Sequence, residues 1–221
     1  MATPLRIDFV SDVACPWCVI GLRSLQQALD AVGDQVQAEI HFQPFELNPD
    51  MPPEGENTTE HVARKYGANP ERSAASRNAI RESGEALGFR FNYNSESRIW
   101  NTFDAHRMLH WAGLEGRQRE LKEALFAVNF TEQKSTSDHE VLVGAAKVAG
   151  LDEAKAREIL SSGAYTEEVR QDEALWRNRG ISAVPSVIFN QRWMIQGGQP
   201  PKVFEQAIRQ ILAGTTTEAR D

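Results

Sequence analysis

The sequence of 221 residues contains two cysteines, Cys15 and Cys18, and both lie in the segment SDVACPWC at positions 11–18. Two thiols this close either form a reversible disulfide or bind a metal ion together. In thiol–disulfide exchange the nucleophile is the thiolate, not the thiol. The chemistry of the pair therefore depends on which thiol is held as an anion.

The residues after the cysteines predict a helix that begins at the pair. Pro16 suits the first helical turn, where its missing N–H costs nothing. Unsatisfied backbone N–H groups and the positive end of the helix dipole favour an anion there. We therefore expect Cys15 to be an exposed attacking thiolate, and Cys18, one turn later, to resolve the mixed disulfide. Trp17 between them is expected to be exposed and to face the substrate.

A second feature is Pro185 in the segment GISAVPSVIFN at 180–190. Proline cannot donate a hydrogen bond within a sheet, so it belongs at the first residue of a strand or in a special turn. A cis Val184–Pro185 bond beside the cysteines would leave the backbone of Val184 free to pair with an extended substrate chain. An ordinary trans proline that begins a strand is the alternative.

Two histidines offer a metal-binding alternative for the cysteine pair. His106 and His110 in HRMLH lie four residues apart on a predicted helix, as two zinc ligands would. The long separation from the cysteines, and Arg107 where a metalloprotease helix has Glu, argue against such a site. The simpler interpretation places both histidines on the surface of a helix or in a groove, and no metal is expected.

The elements on either side of the cysteines predict a βαβ unit. The run LRIDFV at 5–10 alternates as a buried strand does, and the helix after the cysteines ends near Gly33. A second strand covers 36–42, until Pro44 interrupts its hydrogen bonding. A connection of this length predicts that the two strands are parallel.

The rest of the chain is mainly helical, and strands return near its end. NPDMPPEGEN at 48–57 is typical of a linker, and FRFNYNSES at 89–97 is irregular. A hairpin turning at Asn190–Gln191 and a last helix after Pro201 follow. Helices are predicted over 59–67, 70–88, 101–113, 116–129, 138–149, 152–161 and 165–179, and the hairpin strands over 184–190 and 192–196.

This order of elements is that of thioredoxin, with helices inserted between its halves. The predicted fold class is therefore α/β, a thioredoxin-like fold with a large all-helical insertion between the βαβ and ββα halves. Residues 1–57 and 165–214 are predicted to form the thioredoxin-like domain. The inserted lobe is predicted over 58–164, and a flexible tail over 215–221.

Composition excludes several classes of function. The net charge of −7 argues against nucleic-acid binding, which needs clustered Lys and Arg. No segment approaches the roughly 20 apolar residues of a membrane span, and the N-terminus has no leader-like apolar run, which predicts a cytoplasmic protein. The charged runs EGRQRELKEAL and EEVRQDEALWRNR are most simply solvated helix faces.

CPWC after a first strand, together with VP before a late hairpin, resembles the DsbA-like part of the thioredoxin superfamily over nearly the whole chain. FELNPDMP at 45–52, NTFDAHR at 101–107, GISAVPSVIFN and the GGQ at 197–199 resemble its FrnE branch more narrowly. That branch neighbours the 2-hydroxychromene-2-carboxylate isomerases and the kappa-class glutathione transferases.

The resemblance implies a thioredoxin domain with an inserted helical lobe and a cis peptide at Pro185. It also implies that Cys15 attacks and Cys18 resolves, in an oxidoreductase or disulfide isomerase without a bound cofactor. His106 belongs to a stretch that the isomerase relatives share, which implies a place near the substrate; capping and salt-bridging at a helix start are the alternative for Asn101, His106 and Arg107.

Two departures from the family pattern keep other functions open. The dipeptide is Pro-Trp, where the periplasmic oxidase has Pro-His, so the resemblance does not carry over strong oxidising power. The isomerase and transferase relatives generally have Ser in place of Cys15. The first hypothesis is thiol–disulfide exchange with a protein or small-molecule disulfide and an unknown redox partner. A glutathione-using isomerase or transferase and a chaperone-like binder are the alternatives, and a homodimer stays open.

Overall fold

The structure is a computed structural model that describes the backbone of residues 2–218 and the side chains of residues 2–214. In chain order the strands are β1 (Thr3–Ser11), β2 (Val36–Pro44), β3 (Glu56–Asn57), β4 (Arg98–Ile99), β5 (Ser186–Phe189) and β6 (Trp193–Gln196). The helices are α1 (Pro16–Val32), α2 (Thr58–Tyr66), α3 (Pro70–Ala86), α4 (Phe103–Leu114), α5 (Gln118–Phe126), α6 (His139–Val148), α7 (Glu153–Ser162), α8 (Thr166–Asn178) and α9 (Pro201–Glu218).

The central sheet has the strand order β2-β1-β5-β6. β1 and β2 are parallel, whereas β1 pairs with β5, and β5 with β6, in antiparallel fashion. The predicted βαβ and ββα halves therefore share one sheet. β1 lies inside it, with Phe9 opposite Phe42 on one side and Val187 on the other, and both its faces are covered. That position explains why every residue from Ile7 to Ser11 is buried and why three of these five are apolar.

The hairpin between β5 and β6 turns where the sequence predicts. Asn190 and Gln191 both have positive φ, 47° and 56°, as the two central residues of a type I′ turn require. The backbone N–H of Arg192 closes the turn on the carbonyl of Phe189 at 3.0 Å.

The helical region differs from its prediction in two places. α5 ends at Phe126 and continues as a π-helical turn over Ala127–Thr131, where a single helix was predicted to 129. The predicted linker 48–57 contains β3, which pairs with β4. Its two residues meet a partner some forty positions away, and such a short ribbon has no periodicity that a sequence pattern could reveal.

Two hydrophobic clusters form most of the core. One lies between the sheet, α1 and α9, and it extends into the helical region through Phe89, Phe91 and Phe130. It contains Cys15 and Cys18. The second fills the space between α4, α5, α6 and α7. The inserted helices therefore pack directly onto the cysteine end of the sheet, and the domain boundaries given above stay a prediction.

The C-terminal helix enters the segment 215–221 that was predicted to be a flexible tail. α9 continues through Glu218, whereas residues 219–221 and all side chains from 215 onward lie outside the described residues. Within residues 2–218, no helix is both long and apolar enough to cross a membrane.

Candidate active site

The cysteine pair lies at the junction between β1 and α1. Cys15 is the N-cap of α1, with an extended backbone (φ −95°, ψ 112°), and Pro16 occupies the first helical turn as predicted. The N–H of Cys15 donates to the carbonyl of Asp12 at 3.2 Å, and the N–H of Cys18 donates to the carbonyl of Cys15 at 3.0 Å. These bonds fix the turn that aims both thiols at the same end of the sheet.

The expectation that Cys15 is exposed is wrong. Its side chain is 4% exposed and that of Cys18 is fully buried. Both belong to the cluster formed with Phe91, Phe130 and other residues of the helical region, so tertiary packing covers a thiol that helix geometry alone would leave open. Both cysteines are free thiols.

Val184 and Pro185 lie beside Cys15, and the bond between them is cis, as predicted. The Cys15 thiol donates to the carbonyl oxygen of Val184 at 3.7 Å. The carbonyl of Pro185 accepts from the N–H of Gly197 at 2.8 Å. α1 passes so close to this loop that a Cβ added to Gly21 would lie only 2.9 Å from Pro185 Cγ. A small residue is therefore needed where the helix crosses the proline.

Aromatic residues surround the approach to Cys15. Trp17 is 37% exposed, in agreement with the prediction, and its backbone packs against Gly198. Tyr66 is exposed, while Tyr93 is partly buried and stacks on Phe91. Burial raises the pKa of both tyrosines, and a negative charge on Cys15 raises it further, which places their hydroxyls in the field of that thiol.

The two tyrosines were missed in the sequence. Tyr93 falls in FRFNYNSES, which was treated only as an irregular stretch. Its alternating aromatic residues, Phe89, Phe91 and Tyr93, were the available signal, because alternation in an extended segment puts them on one face. Tyr66 ends α2 and carries no comparable signal.

Asp12, directly before the cysteine loop, is a buried carboxylate at 1% exposure. It accepts from the N–H of Leu47 at 2.7 Å and from the N–H of Ala14 at 3.2 Å. His106 Nε2 lies 3.4 Å from its Oδ1, an ion-pair distance rather than a well-formed hydrogen bond. Burial alone would raise the pKa of Asp12, but His106 and the two N–H groups outweigh it and the pKa is lowered.

His106 is 2% exposed, so it does not lie on the surface of the helix; it lines a cavity together with His110, as the groove interpretation allows. It points from α4 toward Asp12, behind the cysteines, because α4 packs against β2 and the loop after it. Its predicted contact with substrate stays a prediction; in this structure the ring reaches the site through Asp12. His110 on the same helix is partly exposed, and its Nδ1 lies 3.8 Å from Asp172.

The other residues of NTFDAHR have structural contacts. The Arg107 guanidinium donates to the carbonyl of Ala164 at 2.7 Å and to Asp104 at 2.6 Å. The Asn101 side chain donates to the carbonyl of Met51 and accepts from the N–H of Phe103. These contacts correspond to the capping and salt-bridging alternative for Asn101 and Arg107.

Lys122 on α5 is buried behind the cysteines, at 1% exposure. It belongs to the charged run EGRQRELKEAL, so the interpretation of that run as a solvated face is wrong at this position. Burial lowers the pKa of Lys122 to about 8, although Cys18, Asp12 and Cys15 oppose this shift. The available signal was its position four residues before Phe126, which puts it on the apolar side of α5; its Nζ lies 5.1 Å from the centre of that ring.

Cys18 is the more buried thiol of the pair. Burial raises its pKa well above the ordinary value, and the contact of its thiol with Cys15 adds to this. The charge of Lys122 and the backbone N–H of Asp12 act in the opposite direction. Within the described residues, no group of three or more His, Cys, Asp or Glu side chains could hold a metal ion.

A free CxxC pair after β1, next to a cis proline before the neighbouring strand β5, is the arrangement of a thioredoxin-like redox fold. The chain matches the model of the DSBA-like thioredoxin domain over residues 6–209 and belongs to this family. The α/β thioredoxin-like fold predicted from the sequence is therefore confirmed.

Among the similar proteins are one solved structure at the level of the family, one uncharacterized protein and one solved structure that shares the fold alone. The chain is 32% identical to a probable DsbA oxidoreductase, SCO1869, of Streptomyces coelicolor; the match covers 95% of this chain and 90% of that one, with a TM-score of 0.89. It is 27% identical over 205 residues to the uncharacterized protein YwbO of Bacillus subtilis (strain 168), covering 92% of this chain and 96% of the relative. A 2-hydroxychromene-2-carboxylate isomerase shares the fold at 15% identity, with a TM-score of 0.71 over 96% of this chain and 98% of that one.

Proposed function

We propose that this protein is a thiol–disulfide oxidoreductase in which Cys15 attacks a disulfide and Cys18 resolves the intermediate. One observation carries the proposal: two free thiols meet at the start of α1, and the outer one lies 3.7 Å from the carbonyl of Val184, beside cis Pro185. Membership of the DsbA-like family supports it. The FrnE branch and a cytoplasmic location stay predictions.

The exchange needs no bound cofactor. The Cys15 thiolate attacks one sulfur of a substrate disulfide, the other substrate sulfur leaves as a thiolate, and a mixed disulfide forms. Cys18 then loses its proton and attacks Cys15 Sγ, which releases the second substrate thiolate and closes the Cys15–Cys18 disulfide. Two electrons pass from the protein to the substrate, and the reverse sequence oxidises a dithiol.

Cys15 is almost fully buried, so we propose that a substrate approaches it past Trp17, which is 37% exposed. An extended chain that binds there would lie next to Val184, whose carbonyl is 3.7 Å from the Cys15 thiol, and next to cis Pro185. An aromatic side chain at this position favours a disulfide flanked by apolar groups over a highly charged one.

Single substitutions of the two cysteines test the proposal. We expect Cys15→Ser to abolish the reduction of a mixed protein–glutathione disulfide, because the attacking sulfur is gone. Cys18→Ser should instead accumulate a covalent adduct at Cys15, because nothing resolves the intermediate. Intact mass spectrometry and thiol counting distinguish the two results, with matched melting curves as the control for folding. Full turnover by Cys15→Ser would contradict the proposal.

The direction of exchange is measurable as the reduction potential of the pair. Equilibration in glutathione buffers followed by thiol counting gives its value. A potential of about −120 to −180 mV would make the protein a disulfide donor or isomerase, and one near −270 mV a reductant. If no intramolecular disulfide forms at any glutathione ratio, the exchange mechanism fails.

The glutathione-dependent alternative rests on the stretch NTFDAHR and on a fold shared with an isomerase. In this chain Arg107 is bound to backbone carbonyls and to Asp104, so it is not free to hold a substrate carboxylate. Saturable glutathione binding that survives Cys18→Ser, measured by calorimetry, would favour the alternative. Glutathione then would be a co-substrate rather than a redox buffer.

A further inference from the structure

A cavity lies where the inserted helices meet the edge of the central sheet. It has a volume of about 220 Å³ and is lined by residues of β2, α4, α5 and α8. Leu109, Leu114, Val169 and Phe42 give it apolar walls. A cavity of roughly 150 Å³ with apolar walls holds a benzene ring, so this one has room for a small organic molecule.

The polar side chains in the wall of this cavity have partners, with one exception. Gln118 bonds to both the N–H and the carbonyl of Phe42 and thereby closes the edge of β2. The other pairs within hydrogen-bond or ion-pair distance are His41 with Glu39, Gln43 with Asp8, His106 with Asp12 and His110 with Asp172. These groups are therefore matched inside the protein itself.

Lys122 on α5 is the exception. It is 1% exposed, and among the described residues its Nζ has no hydrogen-bond or ion-pair partner. Its Nζ lies 5.1 Å from the centre of the Phe126 ring. A lysine is rarely buried to this degree without a partner, because its ammonium loses the water that solvates it. The wall of the cavity therefore contains a cation that no described side chain neutralises at contact distance.

We propose that the cavity binds a small organic monoanion whose carboxylate contacts Lys122. The buried ammonium forms the inner end of the site, and Leu109, Leu114 and Val169 contact the apolar body of the ligand. One cation balances one negative charge, and the carboxylate of Asp172 in the same wall disfavours a dianion. The ligand is a monocarboxylate with an aliphatic or aromatic body. Neither cysteine lines the cavity, and the proposal does not depend on the proposed disulfide exchange.

The protonation of Lys122 suits an anion at neutral pH. Burial lowers the pKa of Lys122 to about 8, while Cys18, Asp12 and Cys15 oppose this shift. Most molecules therefore carry the ammonium at pH 7. A bound carboxylate supplies the close counter-charge that the protein lacks, and it stabilises the charged form of the lysine further.

Benzoate is the probe, because it carries one carboxylate on a flat apolar ring. Benzamide is the matched neutral compound of nearly the same shape. We expect saturable binding of benzoate to the full-length protein at pH 7, and binding of benzamide about 10-fold weaker or less, both measured by calorimetry. Acetate should also bind more weakly than benzoate, since it has the charge without the apolar ring. Equal affinities for benzoate and benzamide would overturn the proposal. So would the absence of saturable binding, which would mean that the cavity holds only water.

Lys122→Met removes the ammonium and keeps the length of the side chain. We expect the affinity for benzoate to fall by about 10- to 100-fold, the effect of one lost charge-assisted hydrogen bond, and the affinity for benzamide to stay the same. Lys147→Met, at an exposed position of α6 where the lysine pairs with Glu153, is the matched control and should change neither affinity. Melting curves check that both variants are folded. Benzoate binding by Lys122→Met at the affinity of the wild type would overturn the proposal.

Leu114 offers a second test that leaves the interior intact. It is 67% exposed and belongs to the cavity wall, so the fold tolerates a polar residue there. Leu114→Glu adds a carboxylate near the bound anion, whereas Leu114→Gln has the same shape without the charge. Leu114→Glu should bind benzoate about two- to threefold more weakly than Leu114→Gln at low salt, and high salt should remove the difference. Equal affinities at low salt would contradict an anion in this cavity.

Methyl NMR of the unaltered protein locates the ligand without any substitution. Benzoate should shift the methyl signals of Leu109 and Val169 in a saturable way and leave those of Leu25 in α1, which is not part of the cavity, unmoved. The dissociation constant from these shifts should equal the one from calorimetry. Saturable shifts confined to other parts of the protein would overturn the proposal. Failure of the proposed function would look different, because loss of disulfide exchange leaves benzoate binding unchanged.

Discussion

At the scale of residues, the site combines groups that are costly to bury. Asp12, Lys122 and Cys18 are each at most 1% exposed. An isolated buried charge is strongly destabilising, whereas opposite charges that face each other compensate in part. Asp12 is further compensated by two backbone N–H groups. Lys122 has no comparable set of hydrogen-bond acceptors among its named contacts, and burial lowers its pKa.

The lowered pKa of Lys122 predicts a pH dependence of stability. In the unfolded chain a lysine titrates near about 10.4, and in the folded protein this one titrates at about 8. Between these values the unfolded state binds more protons, so the free energy of unfolding rises with pH. Relative to Lys122→Met, the wild type should gain up to about 3 kcal/mol from pH 8 to pH 10.5.

Urea unfolding of both reduced proteins across that range measures the difference. The exposed substitution Lys147→Met is the control, since its lysine is paired at the surface and should leave the curve of the wild type unchanged. A difference between wild type and Lys122→Met that does not vary with pH would mean that Lys122 keeps an ordinary pKa.

At the scale of elements, α1 positions most of the site. It provides the cysteines in its first turn, and Gly21, two turns after Cys15, lets it approach Pro185. The loop that carries the proline is held in turn by β5 and by the bond from Gly197 to Pro185. The distance between Cys15 and Val184 therefore depends on how closely one helix packs on one loop.

Gly21→Ala tests this packing. Alanine would favour the helix by up to about 1 kcal/mol, but its Cβ would lie 2.9 Å from Pro185 Cγ. Overpacking of this kind costs about 1–3 kcal/mol, so we expect a net loss of stability and slower attack by Cys15 although both cysteines are intact. Urea unfolding measures the stability. The rate at which Ellman's reagent, an aromatic disulfide, releases its first coloured thiolate on attack by Cys15 measures the exchange.

Gly144→Ala in α6 is the matched control for that prediction. No atom lies within 4 Å of the Cβ that it would add, so the helix should gain up to about 1 kcal/mol and exchange should not change. If Gly21→Ala behaved in the same way, the close approach of α1 to Pro185 would not constrain the site.

At the scale of the whole molecule, buried ionic contacts join the sheet to the helices that cover it. Glu46 follows β2 and Glu173 lies on α8, and both carboxylates are buried. Arg170 bonds to both, at 2.9 Å from Glu173, and its guanidinium stacks 3.7 Å from the ring of Phe103. Burial raises the pKa of Glu46, and the charge of Glu173 raises it further, so Arg170 keeps the pair together.

Arg170→Met removes the cation between these carboxylates. We expect a loss of about 2 kcal/mol in the free energy of unfolding at pH 7, because two buried carboxylates would face each other with only Arg177, 3.9 Å from Glu173, as a nearby cation. The loss is smaller than for a fully buried pair, since Arg170 itself is 43% exposed. Without the arginine the pKa of Glu46 rises further in the folded state, so the loss should shrink as the pH falls toward 5. Urea unfolding at the two pH values measures it.

The surface pair of Arg157 and Glu140 provides the comparison, since both side chains are at least half exposed. Arg157→Met should cost much less stability than Arg170→Met and show little dependence on pH between 5 and 7. Equal costs for the two substitutions would mean that the contacts of Arg170 with Glu46 and Glu173 stabilise the fold no more than an exposed ion pair does.

Those features of the protein that are encoded locally could be predicted from the sequence. The strand before the cysteines, the helix that Pro16 begins, the turn at Asn190–Gln191 and the order of the halves all depend on spacing or on residue-specific backbone preferences. The cis bond at Pro185 came from the family resemblance, and the roles of the cysteines came from the geometry of a helix start and from that resemblance. The bond is confirmed, and the roles stay a proposal.

Only the tertiary structure decided what lies around the thiols. The sequence determined that Cys15 caps a helix, yet residues from another part of the chain bury it. Lys122 and Glu173 looked like members of solvated faces because a charged run does not reveal which of its members meets a partner more than one hundred residues away. Periodicity encodes the direction in which a side chain points from its own helix or strand. What it meets there depends on how the inserted helices dock on the sheet, and that docking is set by the summed packing of many apolar residues.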